Sequence, residues 1–381
     1  MGGDDYIVRV CYFGTYDRNR PRNRNIIKGL KANKIEVIEC HYSPWGEVED
    51  KTVLQGVLNK FAVLVHFLFA YSYLIFRYIF IGHHDAIIVG YLGHIDVFVA
   101  RPLATLRGKP IVFDALLSLY DTVVNDRKLS GPNGFIGRLS FFIDRTACRM
   151  ADVVVLDTDA HIDYFVRTFQ LPRDKFRRVL VGADESQFYP TTQLRNQLTS
   201  QRLKVLFYGQ FIPLHGIEFI VRAAKILEKD NVEFTIIGNG QEYKKIRDMA
   251  DVMNVWNINW IDWIEYNRLV NYINEADIVL GIFGGSDKAK RVIPNKVFQA
   301  IACKKPIITG DSPAARELFR DGENALLCHV GDPRAIAESI GLLRDNENLR
   351  IKIGFNGYNT YLSQCNIEAI GNQMLDVLIW R

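Results

Sequence analysis

Short runs of apolar residues alternate along this chain with longer segments in which apolar residues recur every three or four positions. The short runs are typical of buried parallel strands, and the longer segments are typical of amphipathic helices. Repeated alternation of the two predicts an α/β protein in which helices cover both faces of parallel sheets.

The first half of the chain contains one series of such strands and helices. The predicted strands are Tyr6–Phe13, Glu36–Glu39, Ala86–Gly90, Pro110–Phe113, Val153–Leu156 and Arg178–Val181. The predicted helices are Asn23–Ala32, Lys60–Phe80, His94–Leu106, Gly134–Met150 and Asp159–Phe169.

A second series follows a polar stretch that is rich in Gln, Thr and Asn. Its predicted strands are Lys204–Tyr208, Glu233–Ile237, Val255–Trp260, Ile278–Ile282, Pro306–Thr309 and Ala325–Cys328, and its closing helices are Pro333–Leu343, Asn346–Thr360 and Glu368–Ile379. We therefore predict a first domain over residues 1–186, a linker over 187–202 and a second domain over 203–360, with a C-terminal helix over 361–381 that returns to the first domain. In such doubly wound sheets, ligands bind at the carboxyl ends of the strands.

The segment from Arg291 to Glu317 carries the most information about chemistry. It predicts a loop, a short helix opened by Pro294, a turn, and the buried strand Pro306–Thr309. Lys296 and Gln299 are three residues apart, so they lie on one face of that helix. Because the positive end of the helix dipole lies beside Lys296, we predict an anion site there.

This segment resembles the nucleotide-sugar-binding core of the GT-B glycosyltransferases of family 4. Those enzymes carry a pair of glutamates, the second of which leads into a Glu-Ala-hydrophobic-Ala helix and a Gly-x-Pro strand. Arg291 and Gln299 occupy the two glutamate positions in this chain. The motif 181–190 resembles the exit of the family's first domain, so the resemblance extends to both domains. It implies a GT-B fold, in which two Rossmann-like domains have parallel sheets facing a central cleft.

Two loops of the second domain resemble the family's phosphate-handling loops. The first carries Gly209, Gln210, His215 and Gly216, with Gln210 and His215 at the positions of the arginine and lysine that grip the donor diphosphate. Gln210 can donate through its amide, and we expect His215 to donate in either charge state. The alternative is a turn in which Gly216 only shapes the backbone. The second loop is the turn at Gly238, which matches the dinucleotide fingerprint incompletely.

Three positions of the first domain follow predicted strands and are candidates for the same ligand or its acceptor. Gly14 allows phosphates to approach the backbone. His94 starts a helix where many family members keep a cleft histidine, although a cap or a satisfied surface residue is the alternative. Asp114 ends a strand and opens another loop. The basic run Arg18–Lys34 is either a solvated face or a contact for anionic lipid or a lipid-linked pyrophosphate.

The resemblance implies a retaining glycosyltransferase that moves a sugar from a nucleotide-diphosphate sugar to a glycan, lipid-linked or other hydroxyl acceptor, in the synthesis of cell-surface polysaccharide or glycolipid. The catalytic candidates are Lys296, His94 and Asp114. The donor-binding candidates are Gly14, Gly209, Gln210, His215, Gly216, Gly238, Arg291, Asn295, Lys296 and Gln299. Arg291 either favours an acidic sugar or points away from it.

We expect no metal ion and no cofactor besides the donor substrate. The stretch Asp157-Thr158-Asp159 is interpreted as a strand end followed by a helix cap rather than as a metal-binding acid pair. The six cysteines are scattered, which predicts buried free thiols in a reducing compartment. The net charge of +4 over 381 residues gives no indication of nucleic-acid binding.

The segment Phe61–Gly82 leaves the relation to membranes open. It approaches the length of a spanning helix, but it contains His66 and Arg77, and a charged residue in mid-helix opposes insertion. A spanning helix, a helix with its aromatic face on a bilayer and a wholly buried helix are the alternatives. No signal peptide fits the first residues. We expect a cytoplasmic protein, at the inner face of the membrane if the aromatic face is used.

Other functions compete with transfer. A silent sugar-nucleotide-binding partner of another transferase is favoured by the loss of both glutamates and both basic loop residues. A GT-B sugar-nucleotide epimerase requires paired carboxylates that are not evident, and a dehydrogenase is disfavoured because the incomplete glycine fingerprint lies in the second half. For Trp256, Trp260 and Trp263, core packing and stacking on a nucleotide base are the alternatives.

Overall fold

The computed structural model describes residues 8–43, 57–191 and 202–379, and for residues 57–64 the backbone alone. Most of the predicted linker and the start of the first predicted strand therefore lie outside the described residues. The chain divides into two compact units. The first contains residues 1–157, 162–179 and 370–381, and the second contains residues 158–161 and 180–369.

A six-stranded parallel sheet forms the centre of the first unit. Its strands are β1 (Arg9–Gly14), β2 (Glu36–His41), β3 (Ala86–Val89), β4 (Ile111–Asp114), β5 (Val153–Leu156) and β6 (Phe176–Arg178), in the order β2-β1-β3-β4-β5-β6. The connecting helices are α1 (Pro21–Ala32), α2 (Val57–Ile79), α3 (Asp96–Arg107), α4 (Phe135–Met150) and α5 (Asp159–Phe169). The inner strands β3, β4 and β5 are short and almost wholly apolar because both faces of the sheet are covered there, whereas the edge strands β2 and β6 carry charged residues.

The two faces of this sheet carry different helices. Cys40 of β2 lies with its Sγ 3.6 Å from the carbonyl oxygen of Leu74 in α2, whereas the neighbouring Glu39 faces Lys31 of α1 at 4.0 Å. Because successive residues of a strand point to opposite faces, α1 and α2 lie on opposite sides of the sheet. The side that carries α2 forms one apolar core, to which α3, α4 and α5 also contribute.

A second six-stranded parallel sheet forms the centre of the second unit. Its strands are β7 (Leu203–Tyr208), β8 (Val232–Ile237), β9 (Ile258–Ile261), β10 (Ile278–Leu280), β11 (Ile307–Gly310) and β12 (Leu326–Cys328), in the order β12-β11-β10-β7-β8-β9. Its helices are α6 (Ile217–Ile226), α7 (Tyr243–Val252), α8 (Leu269–Glu275), α9 (Asn295–Ala302), α10 (Pro313–Arg316), α11 (Pro333–Asp345) and α12 (Glu347–Gln364). The strand order reverses beside β7, and such a switch point is where doubly wound sheets bind their ligands.

The last helix, α13 (Ile367–Ile379), packs against α1 within the first unit. The contact is close, because a Cβ atom at Gly371 would lie only 2.0 Å from the carbonyl oxygen of Gly29. A glycine on each helix is therefore what lets the two backbones approach.

The predicted α/β fold with parallel sheets is confirmed, and two local differences have physical reasons. The strand predicted at Arg178–Val181 is instead Phe176–Arg178. The apolar run Val179–Val181 is buried beyond the paired residues, so its apolar character reports burial rather than strand pairing. A π-helical turn at Asp121–Asp126 follows β4 and has no counterpart in the predicted elements.

All six cysteines are buried free thiols, which confirms the predicted state of the thiols, and the reducing compartment stays a prediction. Within the described part of the chain, no helix is both long enough and apolar enough to cross a bilayer.

A buried ion pair joins α1 to the end of β4. Arg22 donates from Nε to Asp114 Oδ2 and from Nη2 to Asp114 Oδ1, both at 2.9 Å, and from Nη1 to the carbonyl oxygen of Val179 at 2.6 Å. The two side chains are only 2% and 0% exposed. The fork geometry satisfies both carboxylate oxygens at once.

We predict that Asp114→Ala lowers the free energy of unfolding by about 3–5 kcal/mol, because it leaves the Arg22 charge in the interior without its partner. Urea unfolding followed by fluorescence measures the change. The matched control is Glu36→Ala, which breaks the exposed Arg9–Glu36 pair and should cost less than about 1 kcal/mol. Equal losses for the two variants would contradict a special role for the buried pair.

Candidate active site

The second unit brings together most of the site residues predicted for it. Gly209 and Gln210 follow β7, Gly238 follows β8, and Lys296 and Gln299 lie on α9. His215 and Gly216 stand between β7 and α6, where a short 3-10 turn leads into the helix. These positions share the carboxyl edge of the sheet, which is where the strand order predicts a ligand.

The two glycine loops at this edge run side by side. Gly209 N donates to the carbonyl oxygen of Ile237 at 2.9 Å, and Phe211 N donates to the carbonyl oxygen of Asn239 at 2.9 Å. A Cβ atom at Gly238 would lie 2.0 Å from Gly209 O, and φ at Gly238 is +139°. A side chain at Gly238 is therefore excluded by both space and backbone conformation.

Lys296 is the central charged group of the site. It lies in the first turn of α9, is 4% exposed, and places Nζ 3.7 Å from the centroid of the Phe207 ring. Its Nζ is buried and has no hydrogen-bond partner among the residues that the structure describes. Burial holds the pKa of Lys296 well below the ordinary lysine value. An ammonium in this position lacks the anion that would compensate its desolvation.

His215 and Lys296 both lie next to Gly209. A Cβ atom at Gly209 would be 2.9 Å from Lys296 Nζ and 3.0 Å from His215 Cε1. Burial, and then the positive charge of Lys296, lower the pKa of His215 well below its usual range. The neutral ring donates from Nδ1 to the carbonyl oxygen of Gln210 at 2.5 Å, so Nε2 carries no proton.

This tautomer corrects the expectation that His215 donates to a ligand in either charge state. The one proton of the neutral ring is held by Gln210 O. Donation from Nε2 requires protonation, which an anion beside the ring would promote.

Gln299 is held by two tyrosines. Tyr208 donates from its hydroxyl to Gln299 Oε1 at 2.9 Å, and Gln299 Nε2 donates to the Tyr266 hydroxyl at 3.0 Å. Tyr208 is buried at the end of β7, whereas Tyr266 is 42% exposed. The amide that replaces the second family glutamate is therefore oriented by protein groups, with one N–H of Nε2 remaining for a ligand.

The remaining predicted residues of this unit lie at the margin. Gln210 and Asn295 are exposed, and Arg291 is half-buried at the end of a 3-10 turn. The carbonyl oxygen of Arg291 accepts from Thr158 Oγ1 at 2.5 Å. Core packing accounts for Trp260, which packs on the core, but not for Trp256 and Trp263, which are 60% and 70% exposed.

In the first unit, Gly14 contacts a buried carboxylate. A Cβ atom there would lie 2.3 Å from Asp96 Oδ2, and φ at Gly14 is +131°. Asp96 also accepts from Thr15 N at 2.8 Å and from the Tyr71 hydroxyl at 3.0 Å. Burial raises the pKa of Asp96 to about 6. The glycine is thus required by the packing of Asp96.

His94 and Asp114 are both buried in polar contacts of the first unit. His94 Nε2 donates to the carbonyl oxygen of Leu117 at 3.1 Å and lies 3.4 Å from Asp144 Oδ1. Asp144 in turn accepts from Ser118 Oγ at 2.7 Å, so the pair anchors the loop after β4. Asp114 is occupied by Arg22. These contacts give both residues an anchoring position, and their predicted catalytic roles stay predictions.

Several residues that shape the site were not predicted. Phe207 and Tyr208 close β7 and support Lys296 and Gln299 from neighbouring positions. Their place directly before a glycine at a strand end was the available signal. No comparable signal in the sequence points to Asp96 and Asp144, because the residues they bond to are distant in the chain.

We predict that Lys296→Met stabilises the unliganded protein at neutral pH, by about 1–4 kcal/mol, because it removes an uncompensated buried charge. The unfolded chain binds this proton more tightly than the folded chain, so the wild type should gain stability as the pH rises toward about 10.4. The difference between the melting temperatures of Lys296→Met and the wild type should therefore become smaller as the pH rises. Lys352→Met, at an exposed position of α12, is the control. A less stable Lys296→Met protein would show that the ammonium is compensated.

Residues 190–360 match the family model described as glycosyl transferases group 1. Two uncharacterized glycosyltransferases of Methanocaldococcus jannaschii are 26% and 24% identical to this chain, over 40% and 59% of its length. The matches cover 41% and 58% of those proteins, so the chain spans about half the length of these relatives. The capsular polysaccharide biosynthesis glycosyltransferase CapM of Staphylococcus aureus is 23% identical over 73% of this chain and 72% of its own length.

Solved structures extend the likeness to nearly the whole chain. Sucrose-phosphate synthase from Thermosynechococcus elongatus has a TM-score of 0.74 at 17% identity, with 98% of each chain covered. Anabaena HepE in complex with UDP-glucose has a TM-score of 0.69 at 15% identity, covering 97% of this chain and 99% of that one. At such identities the likeness shows the fold alone, and it confirms the predicted GT-B fold. Residues 190–360 are thus a domain of the glycosyl transferases group 1, and the finer assignment to family 4 remains a prediction.

Proposed function

We propose that this protein is a glycosyltransferase that takes its sugar from a nucleotide-diphosphate donor bound at the carboxyl edge of the second sheet. The observation that carries the proposal is the buried Lys296 ammonium, whose Nζ has no partner among the described residues. A diphosphate supplies the charge and the acceptor oxygens that this group lacks. The solved structures of HepE with UDP and with UDP-glucose belong to a protein of the same fold.

In the proposed reaction, the bond between the sugar C1 and the diphosphate oxygen breaks, and C1 bonds to the acceptor oxygen on the same face. Because the new bond forms on the face that the diphosphate leaves, the anomeric configuration is retained, and the acceptor proton passes to the leaving diphosphate. Negative charge develops on the leaving group in the transition state. Lys296, the first-turn N–H groups of α9 and a protonated His215 would stabilise that charge, because they are fixed before the reaction begins.

Gln299 and Arg291 fill the places of the family glutamates with different chemistry. Gln299 is fixed by Tyr208 and Tyr266 and has one amide hydrogen left to donate to a ribose or diphosphate oxygen. Arg291 carries a positive charge where the family glutamate commonly meets the transferred sugar. An acidic sugar is the donor that this substitution favours.

A silent sugar-nucleotide-binding partner of another transferase is the second candidate. The observation that favours it is that both polar ends of Gln299 are already paired with tyrosine hydroxyls. Such an arrangement holds a nucleotide site in shape without supplying a carboxylate. The epimerase alternative needs two carboxylates as acid and base, and neither glutamate position provides one.

The acceptor is proposed from chemistry alone to be a hydroxyl of a glycan or a lipid-linked glycan. Relatives that are named for capsular polysaccharide and lipopolysaccharide core synthesis support this class. We expect that the reaction requires no metal ion and no further cofactor, and this stays a prediction.

We predict that one nucleoside diphosphate of a panel raises the melting temperature of the wild type and leaves Lys296→Met unchanged. A ligand at 100 times its dissociation constant stabilises the folded state by about 2.7 kcal/mol, which a thermal shift assay resolves easily. Lys352→Met, the exposed control, should respond like the wild type.

Hydrolysis of the matching nucleotide sugar then separates the two candidates. Slow release of nucleoside diphosphate by the wild type and none by Lys296→Met supports the transferase. Binding without any release supports the silent partner. If no nucleotide raises the melting temperature of the wild type, the proposed donor site is wrong.

We also predict that nucleotide binding takes up protons. An anion beside His215 and Lys296 raises the pKa of both groups from their lowered values in the free protein. Affinity should therefore fall as the pH rises, above the diphosphate's own second ionisation near pKa ~6. Calorimetry in two buffers of different ionisation enthalpy measures the uptake. His215→Gln should reduce it, and an unchanged uptake in that variant would contradict the role of the ring.

A further inference from the structure

An exposed apolar surface covers one side of the first unit. We call it the apolar platform and define it by Leu68, Phe69 and Phe76 of α2 with Phe135, Leu139 and Phe142 of α4. Each of these side chains is between 44% and 81% exposed. Other large apolar side chains of both helices are also exposed, so each helix carries a group of exposed apolar residues rather than the single ones that are normal on a protein surface.

Both helices of the platform belong to the same side of the sheet. Leu74 of α2 and Ala147 of α4 lie in one buried core, together with Ala100 of the intervening α3. The inward residues thus fix the helices, and the large outward residues are left without a core to pack in. Exposed apolar side chains occur along α2 from Val65 to Ile79, a helical length of ~21 Å.

The exposed charged side chains of α2 and α4 are all positive. The α2 helix contains no carboxylate, and the single carboxylate of α4, Asp144, is completely buried. Arg77 of α2 and Arg138 and Arg149 of α4 are exposed. The platform therefore combines bulky apolar side chains with cations, the combination that binds at the headgroup level of an anionic bilayer.

We propose that the apolar platform docks this protein on a lipid bilayer that carries anionic headgroups. A second copy of the chain is a poorer occupant, because pairing two platforms brings arginines against arginines without counter-charges. The proposal rests on the first unit alone and is independent of the donor site.

The positions of the basic residues indicate which of them lie on the side of the sheet that carries the apolar platform. The segment Arg18–Lys34, considered from the sequence as a lipid contact, lies with α1 on the opposite side of the sheet. Arg22 is buried against Asp114, and Arg18 pairs with Glu39. The arginines of α2 and α4 supply the charge in its place.

The test is flotation of the full chain with vesicles of phosphatidylcholine alone and of phosphatidylcholine mixed with phosphatidylglycerol. Wild-type protein should float with the mixed vesicles, and L68S/F69S/F76S should bind them about tenfold or more weakly, because bulky apolar insertion is lost. Replacing Arg77, Arg138 and Arg149 with glutamine should weaken binding to the mixed vesicles by about fivefold per residue.

The matched control removes exposed apolar residues elsewhere. V252S/L342S/I351S changes three exposed positions on helices of the second unit and should float like the wild type. Because all substituted side chains are exposed, an unchanged melting temperature checks that each variant folds. Wild-type protein that stays unbound with both vesicle types overturns the proposal. So does an L68S/F69S/F76S variant whose only change is loss of a dimer in sedimentation.

Discussion

The second unit is organised around one constraint, which is the burial of the Lys296 ammonium without a counter-ion. The Phe207 ring lies against Nζ, the Gly209 backbone leaves space beside it, and the first turn of α9 adds the positive end of a helix dipole. The face of the Phe207 ring offers the ammonium a cation–π contact, but a ring supplies neither a full negative charge nor a hydrogen-bond acceptor, and the helix dipole favours an anion. The desolvation of this ammonium is the free-energy cost that the proposed diphosphate donor would offset.

The fold followed from the sequence because strand and helix patterns are local properties. The placement of Lys296 and Gln299 on one short helix after Pro294 also followed from local spacing, and the anion site itself stays a prediction. The sequence did not show the surroundings that determine the hydrogen bonds and protonation states of Lys296, Gln299 and His215. The tyrosines that hold Gln299 are 91 and 33 residues away in the chain. The tautomer of His215 depends on a carbonyl group that the turn presents.

The first unit shows why strand-end position alone is a weak indication of catalysis. Asp114 and His94 both follow strands, as ligand-contacting residues of such folds do. Asp114 is neutralised by Arg22, which lies 92 residues earlier, and His94 meets Asp144 across the loop that it anchors. In each case the partner lies on a helix that packs against the strand end or loop carrying the other residue, and no periodicity in the sequence reports such packing. Gly14 is similar, because the neighbour that requires a glycine is Asp96.

The substitutions at Gln210 and His215 change the kind of charge that the site holds, as well as its amount. An arginine stays protonated in proteins and would be a permanent cation. Burial, and then the positive charge of Lys296, lower the pKa of His215 well below its usual range, so the ring is neutral in the free protein. The diphosphate of the proposed donor would favour the protonated ring and so let the second charge form. Under the proposed function, both groups would be cationic only with the donor bound, so the free protein avoids the cost of a second buried charge, and positive charge is present where negative charge develops in the transition state.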